Sequence, residues 1–206
     1  TMYKQVNAFE AKKRGAAMVA RNVAAHIERE LLDKPKGWKP LVYCWRGGNR
    51  SGAMATIFSA IGFQVTLLEG GYKAFRQAVL ADIPLLAQNL NFRVVCGPTG
   101  VGKTRLLHAL ARAGAQVLDL EALAEHRSSV LGSLPGQPQP SQRLFDSRVW
   151  AALRAFDRRH PVYVEAESKR VGNVTVNDAL MTRMRASSCL TVALSPDGRI
   201  VATGGW

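Results

Sequence analysis

The spacing of apolar and polar positions along this 206-residue chain changes several times, and each change marks a new element. From Phe9 to Asp33, Val19, Val23, Ile27 and Leu31 recur every fourth position while Lys12, Lys13, Arg14, Arg21 and Arg29 fall elsewhere, the pattern of an amphipathic helix. Pro35-Lys36-Gly37 ends it. A short strand over 41–43 follows, then a glycine-containing loop from Cys44 to Asn49 and a helix from Arg50 or Ser51 to Ala60, closed by Gly62. A strand over 64–68, a Gly70-Gly71 turn and a helix over 72–80 complete this part.

Periodicity fades between Ala81 and Asn91, a stretch that contains Pro84, and this predicts a boundary between a first unit at 1–83 and a second at 91–190. The second unit opens on the apolar run Val94-Val95-Cys96, continues through a glycine-rich segment into a helix reaching Ala113, and then gives a strand over 116–120. Residues 131–140 are crowded with Gly and Pro and read as a loop over the site. A helix over 141–156 and a strand over 162–164, ending in Glu165-Ala166-Glu167, come next. Residues 191–206 read as a separate tail resembling a β-hairpin of a WD-type repeat. Strands alternating with helices predict an α/β protein with a parallel sheet.

Composition narrows the function classes. An apolar fraction of 47% with 21% charged residues is that of a globular chain, and no apolar run approaches the ~20 residues that span a bilayer. Residues 1–10 lack the basic start and apolar stretch of a signal peptide, so the expected location is the cytoplasm, away from membranes. Cys44, Cys96 and Cys189 are odd in number and far apart, which argues against a disulfide framework and gives no zinc spacing. Cys96 and Cys189, in or beside apolar strands, are expected to be small core residues. The net charge of +13, spread over both halves, favours a polyanionic partner such as nucleic acid.

Two loops carry chemistry. Gly97-Pro98-Thr99-Gly100-Val101-Gly102-Lys103-Thr104 lies between a strand and a helix, the setting of a phosphate-binding loop. Gly97, Gly100 and Gly102 let the backbone curl around an anion, the helix N-terminus adds positive potential, and Lys103 supplies a mobile charge. Thr104 would hold Mg²⁺ where a metal takes part. The second loop, Cys44-Trp45-Arg46-Gly47-Gly48-Asn49-Arg50-Ser51, sets a cysteine at the mouth of a strand just before a helix. Loop amides and the helix N-terminus favour the thiolate there, with the charges of Arg46 and Arg50 adding to it. Such a thiolate can attack a persulfide or a phosphate-like donor. Asp119, Glu165 and Glu167 at strand ends are candidates for orienting water or metal, and Lys169 and Arg170 for reaching phosphate or RNA. Trp38, Trp45 and Tyr72 flank the cysteine loop as candidates for stacking on a base.

Cys44 to Ser51, together with Leu68-Glu69-Gly70-Gly71-Tyr72-Lys73-Ala74-Phe75-Arg76, resembles the second half of a rhodanese domain. With the phosphate-type loop, Asp119-Leu120-Glu121-Ala122-Leu123-Ala124, His126-Arg127-Ser128-Ser129-Val130-Leu131-Gly132, Gln139-Pro140-Ser141-Gln142 and Val164-Glu165-Ala166-Glu167-Ser168-Lys169-Arg170, the order resembles the bacterial tRNA 2-selenouridine synthase family. The resemblance implies a partial rhodanese-like domain followed by a P-loop parallel-sheet domain, shortened at both ends. It also implies replacement of sulfur by selenium in the wobble 2-thiouridine of tRNA. Geranyl diphosphate first alkylates the sulfur, and selenophosphate then supplies selenium. On this view Cys44 handles the selenium step, with Gly47, Gly48 and Arg50 shaping its anion pocket, and the basic surface holds the anticodon region of the tRNA. No tightly held cofactor is implied. Two other readings of the residues stand beside it: a phosphate-loop kinase or NTPase with a sulfur-carrier module, and a non-catalytic RNA-binding fragment.

Overall fold

The computed structural model describes residues 7–127, 132, 138–195 and 200–204. It divides into two compact units, 1–75 and 76–206. In the first, helix α1 (Ala8–His26) is capped by Asn7, whose side chain accepts from the Phe9 amide at 3.0 Å, and a π-helical turn over Ile27–Leu31 extends it. Strands β1 (Leu41–Val42) and β2 (Thr66–Leu67) pair in parallel, and helix α2 (Asn49–Ile61) connects them. Gly62 closes α2 in the left-handed conformation at φ 108°, as its position after the last apolar residue predicts. Val23, Val42, Phe58 and Phe63 form the core, with Val19, Ile27 and Leu31 packed on it, so the four-residue spacing of α1 is the stripe that faces inward. Trp38 meets Phe63 edge to face at 5.4 Å and is a core residue, which removes it from the stacking candidates.

Helix α3 (Gly71–Gln88) runs through the stretch that the sequence suggested was irregular. Pro84 lacks an amide proton, so the Leu80 carbonyl loses its helical partner; Leu80 itself is exposed. The helix continues because Val79, Ile83 and Ala87, four residues apart, are all fully buried. Packing of that stripe outweighs the lost hydrogen bond, and the division between units falls at Phe75/Arg76, inside this helix.

The second unit is a five-stranded sheet in the order β4-β5-β3-β8-β9. Strands β3 (Phe92–Cys96), β4 (Gln116–Leu118), β5 (Val162–Glu165) and β8 (Ser188–Leu194) are parallel, and β9 (Ile200–Gly204) is antiparallel at the edge. Phe92, Val95, Val162, Val164 and Val192 are fully buried, as expected for parallel strands covered on both faces. Helix α4 (Lys103–Arg112) follows β3 and packs Leu107 onto Val95 and Val192. The short α5 (Leu120–Ala124) and α6 (Gln142–Ala155) precede β5, while a small hairpin of β6 (Arg170–Val171) and β7 (Val174–Thr175) leads to α7 (Asp178–Arg185). The segment from 191 therefore belongs to the sheet: β8 runs through it and β9 pairs back, Thr191 with Thr203. Most of the expected 131–140 loop lies outside the described residues.

The cysteine expectation needs correction. Strands β3 and β8 are neighbours with Val94 opposite Cys189 and Cys96 opposite Thr191, so both cysteines stand on one face of adjacent strands. Their side chains meet across 93 positions, with Cα atoms 6.2 Å apart, so they are neighbours and not separate core residues. Their proximity depends on sheet order, which cysteine spacing does not encode. Among the described residues no helix is long and apolar enough to cross a membrane.

Arg76, read above as the end of the rhodanese-like motif, pairs with the Asp146 carboxylate of α6, where the two side chains are 18% and 7% exposed. Gln142 donates to the other Asp146 oxygen at 2.8 Å. Removing one member of a buried pair leaves an uncompensated charge, so Asp146→Ala should lower the stability of the chain by about 3 kcal/mol. Urea unfolding checks this; a change below about 1 kcal/mol would show that the pair contributes no more than a surface contact.

Candidate functional site

In the first unit, Cys44 leaves β1 and meets the first turn of α2. Its Sγ accepts from the Gly48 amide at 3.1 Å and from the Ser51 hydroxyl at 3.3 Å. These contacts hold the thiol at about 6, well below the ordinary thiol range. The Ser51 hydroxyl is the largest cause and the Gly48 amide the next; burial pushes the other way, and the Arg46 and Ser51 amides add smaller parts. Arg46 lowers the thiol through its backbone N–H, and Arg50 lines the cavity beside the sulfur. Ser51 is the residue that the sequence reading left without a role. It sits seven positions after Cys44, within the first turn of α2, and is 3% exposed.

Glycine makes the loop possible. Gly47 has φ 63°, and a Cβ on it would lie 2.8 Å from the Gly71 nitrogen. A Cβ on Gly71, at φ 62°, would run into the Cys44 carbonyl and the Gly47 nitrogen. The same approach lets the Tyr72 amide donate to the Cys44 carbonyl at 2.9 Å and Lys73 to Trp45 at 3.0 Å. Gly70-Gly71 is therefore the backing of the cysteine loop as well as a turn. Beside the sulfur opens a cavity of about 510 Å³ lined by Val19, Val23, Tyr43, Trp45, Met54 and Tyr72, with Arg50 and Ser51 next to Cys44. Trp45 and Tyr72 stand 5.5 Å apart, tilted by 31°. Gly48 supplies both the amide on the sulfur and the N-cap of α2.

In the second unit, the loop between β3 and α4 carries Gly97, Gly100 and Gly102 at φ 149°, 83° and 91°. A Cβ on Gly97 would come within 2.5 Å of the Val192 carbonyl, so this position must stay bare for β8 to pass. Lys103 Nζ donates to the Gly97 and Pro98 carbonyls at 3.2 and 3.1 Å and lies 3.4 Å from Glu165 Oε1. The Thr104 hydroxyl donates to Glu165 Oε2 at 3.0 Å. Register explains the meeting, since Glu165 is opposite Val95 at the carboxyl ends of β5 and β3. A cavity of about 740 Å³ opens here, lined by Gly100, Gly102, Lys103 and Thr104 on one side and by Asp119, Glu165 and Glu167 on another.

Asp119 does not end a strand. β4 stops at Leu118, and Asp119 caps α5, accepting from the Ala122 amide at 2.8 Å; its second oxygen lies 3.1 Å from His108 Nε2. Lys169 and Arg170 point to other work: Lys169 pairs with Asp178 at 2.6 Å and Arg170 donates to the Gly172 carbonyl at 2.8 Å, and neither lines the cavity. His108, His126 and Arg127 do line it. A thiolate held by Ser51 should make Cys44 alkylation by iodoacetamide rise through a midpoint near pH 6. In Ser51→Ala the midpoint should move up, since the largest lowering contact is gone; an unmoved midpoint in a rate-versus-pH series would reject that cause.

The family model of the tRNA 2-selenouridine synthase AAA domain matches residues 90–203, and that of the rhodanese-like domain matches residues 6–78. A tRNA 2-selenouridine synthase of Nitrosomonas europaea is 35% identical over 199 residues, covering 93% of this chain and 50% of the relative. One from Marinobacter nauticus is 33% identical over 206 residues, covering 96% and 53%. The chain thus spans about half the length of these curated relatives. No solved structure matches it. A cysteine loop in a rhodanese-like unit, followed by the glycine loop of a mostly parallel sheet, places the chain in the tRNA 2-selenouridine synthase family.

Proposed function

We propose that this chain carries the chemistry of a tRNA-modifying transferase that converts wobble 2-thiouridine into 2-selenouridine in two steps, one assigned to each unit. The observation that carries the reading is the presence, in one chain of this family, of a lowered thiol and of a glycine loop with Lys103 and Thr104 at its end.

In the first step the thiouridine sulfur attacks C1 of geranyl diphosphate, and the carbon–oxygen bond breaks with its electron pair on the departing diphosphate. The leaving group gains charge as it separates, so donors fixed around it lower the barrier. Amides of the 97–104 loop, the N-terminus of α4 and Lys103 are suited to that task. Lys103 is held by two carbonyls and Glu165, contacts that an arriving phosphate oxygen would exchange for its own. Thr104 Oγ1 and Glu165 set hard oxygen donors side by side, a donor pair that fits Mg²⁺. Bound there, the ion would neutralise diphosphate charge.

In the second step selenophosphate provides selenium, and Cys44 is assigned the attack on its phosphorus: an S–P bond forms as the P–Se bond breaks. The freed selenide adds at C2 of the base and expels the geranylthiolate, and water then returns phosphorylated Cys44 to the thiol and phosphate. The thiolate is largely formed at neutral pH given a midpoint of about 6. Arg50, on the cavity wall, and the Gly47-Gly48 backbone would hold the phosphate part of the donor. The excess positive charge of +13 would hold the tRNA, including its anticodon region.

The test incubates the chain with 2-thiouridine tRNA, geranyl diphosphate and selenophosphate and reads the nucleosides by mass spectrometry. Lys103→Ala should cut geranylation at least about 100-fold. Cys44→Ser should leave geranylation intact and abolish selenium incorporation. Nucleotide hydrolysis without either product would favour an NTPase, and tRNA binding unchanged in both variants with no product would favour an RNA-binding piece.

A further inference from the structure

His126 is a buried imidazole on the wall of the cavity that holds Lys103 and Thr104. It is 8% exposed, and its Nδ1 has no hydrogen-bond partner among the described residues. A buried polar atom without a partner is costly, and a bound ligand is one way for the partner to be supplied. The backbone around it is arranged to bring the ring there. Glu125, just before it, is the residue other than glycine with positive φ among the described residues, at 51°. The Arg148 guanidinium holds the Glu125 carboxylate at 2.7 Å, and the His126 amide donates to Glu121 at 3.1 Å. A Cβ on Gly132 would lie 2.7 Å from His126 Cε1, so bare backbone is what lets the ring sit at this depth.

The other proton acceptors of the cavity are occupied. Glu165 is held by Thr104 and Lys103, and Asp119 by the Ala122 amide and His108. Glu121 and Glu167 also have partners. His108 is tied to Asp119 through Nε2, with its side chain 55% exposed. Arg127, beside His126, carries a fixed positive charge and accepts no proton.

Alkylation of a 2-thiouracil releases a proton. A sulfur lone pair forms the new S–C bond, the C–O bond breaks onto diphosphate, and the imide N3–H must leave for the product base to be neutral. We propose that His126 contacts the thiouracil base in the Lys103 cavity and accepts the N3 proton as the sulfur is alkylated. Removing that proton places negative charge on the sulfur and makes it the stronger nucleophile. This role rests on the alkyl-transfer reading of the cavity given above.

The test compares wild-type chain with His126→Gln, using inorganic pyrophosphate and a 2-thiouridine anticodon stem-loop as probes. Pyrophosphate affinity by calorimetry should stay within about twofold, since the diphosphate is held elsewhere in the cavity. Geranyl transfer at pH 7 should fall about 100-fold and recover as pH is raised to where the imide ionises unaided. In wild-type protein labelled with ¹⁵N-histidine, the His126 ring nitrogen signal should shift on adding the stem-loop. Transfer within threefold of wild type, or a loss that is the same at every pH, would overturn the proton-accepting role. Loss of pyrophosphate binding in the variant would show that His126 only supports the structure. A wild-type chain that neither binds pyrophosphate nor transfers geranyl would remove the alkyl-transfer reading itself, and the base role with it.

Discussion

Close approach of bare backbone is the constraint on which both candidate sites depend. In the first unit Gly47 and Gly71 press nitrogen against carbonyl behind the cysteine, and no side chain fits at either position. In the second, Gly97 lets the Val192 carbonyl of β8 pass beneath the loop that ends in Lys103. Each contact fixes a curl of backbone: behind Cys44 it sets the Gly48 amide and the Ser51 hydroxyl on the sulfur, and at 97–104 it shapes the curl proposed above for a phosphate group. Fixed dipoles need no reorganisation when charge arrives, and this makes them suited to a thiolate in one place and a phosphate group in the other.

The two loops place their charges differently. Cys44 carries its own negative charge, so Ser51 and Gly48 already have the sulfur as a partner. At the 97–104 loop Glu165 takes the Thr104 hydroxyl, and together with the Gly97 and Pro98 carbonyls it takes Lys103. Those contacts keep a cationic side chain at the mouth of the loop. On the reading proposed above, a phosphate oxygen would take Lys103 from these partners, which moderates the affinity gained from its charge.

The sequence was most informative where chemistry and local geometry coincide. The four-residue spacing of Val19, Val23, Ile27 and Leu31, the stop at Gly62 and the glycine pattern of 97–104 each depend on residues adjacent in the chain. Features set by distant partners were not legible. Pro84 suggested a break, yet burial of Val79, Ile83 and Ala87 carries α3 through it. Cys96 and Cys189 meet because β8 lies next to β3, an order fixed by the whole sheet. Asp119 looked like a strand end and instead caps α5, a difference of one residue that turns its carboxylate toward an amide. Ser51 was quoted as part of the cysteine motif, but its weight on the sulfur emerges only once α2 is wound.

The central claim is that the amides of residues 99–104 surround a phosphate group. Hydrogen–deuterium exchange of the chain with and without inorganic pyrophosphate measures this directly. Protection should appear on this segment when pyrophosphate is present and should be largely lost in Lys103→Ala. Exchange in 99–104 that is indifferent to pyrophosphate, with the sheet remaining folded, would contradict the account.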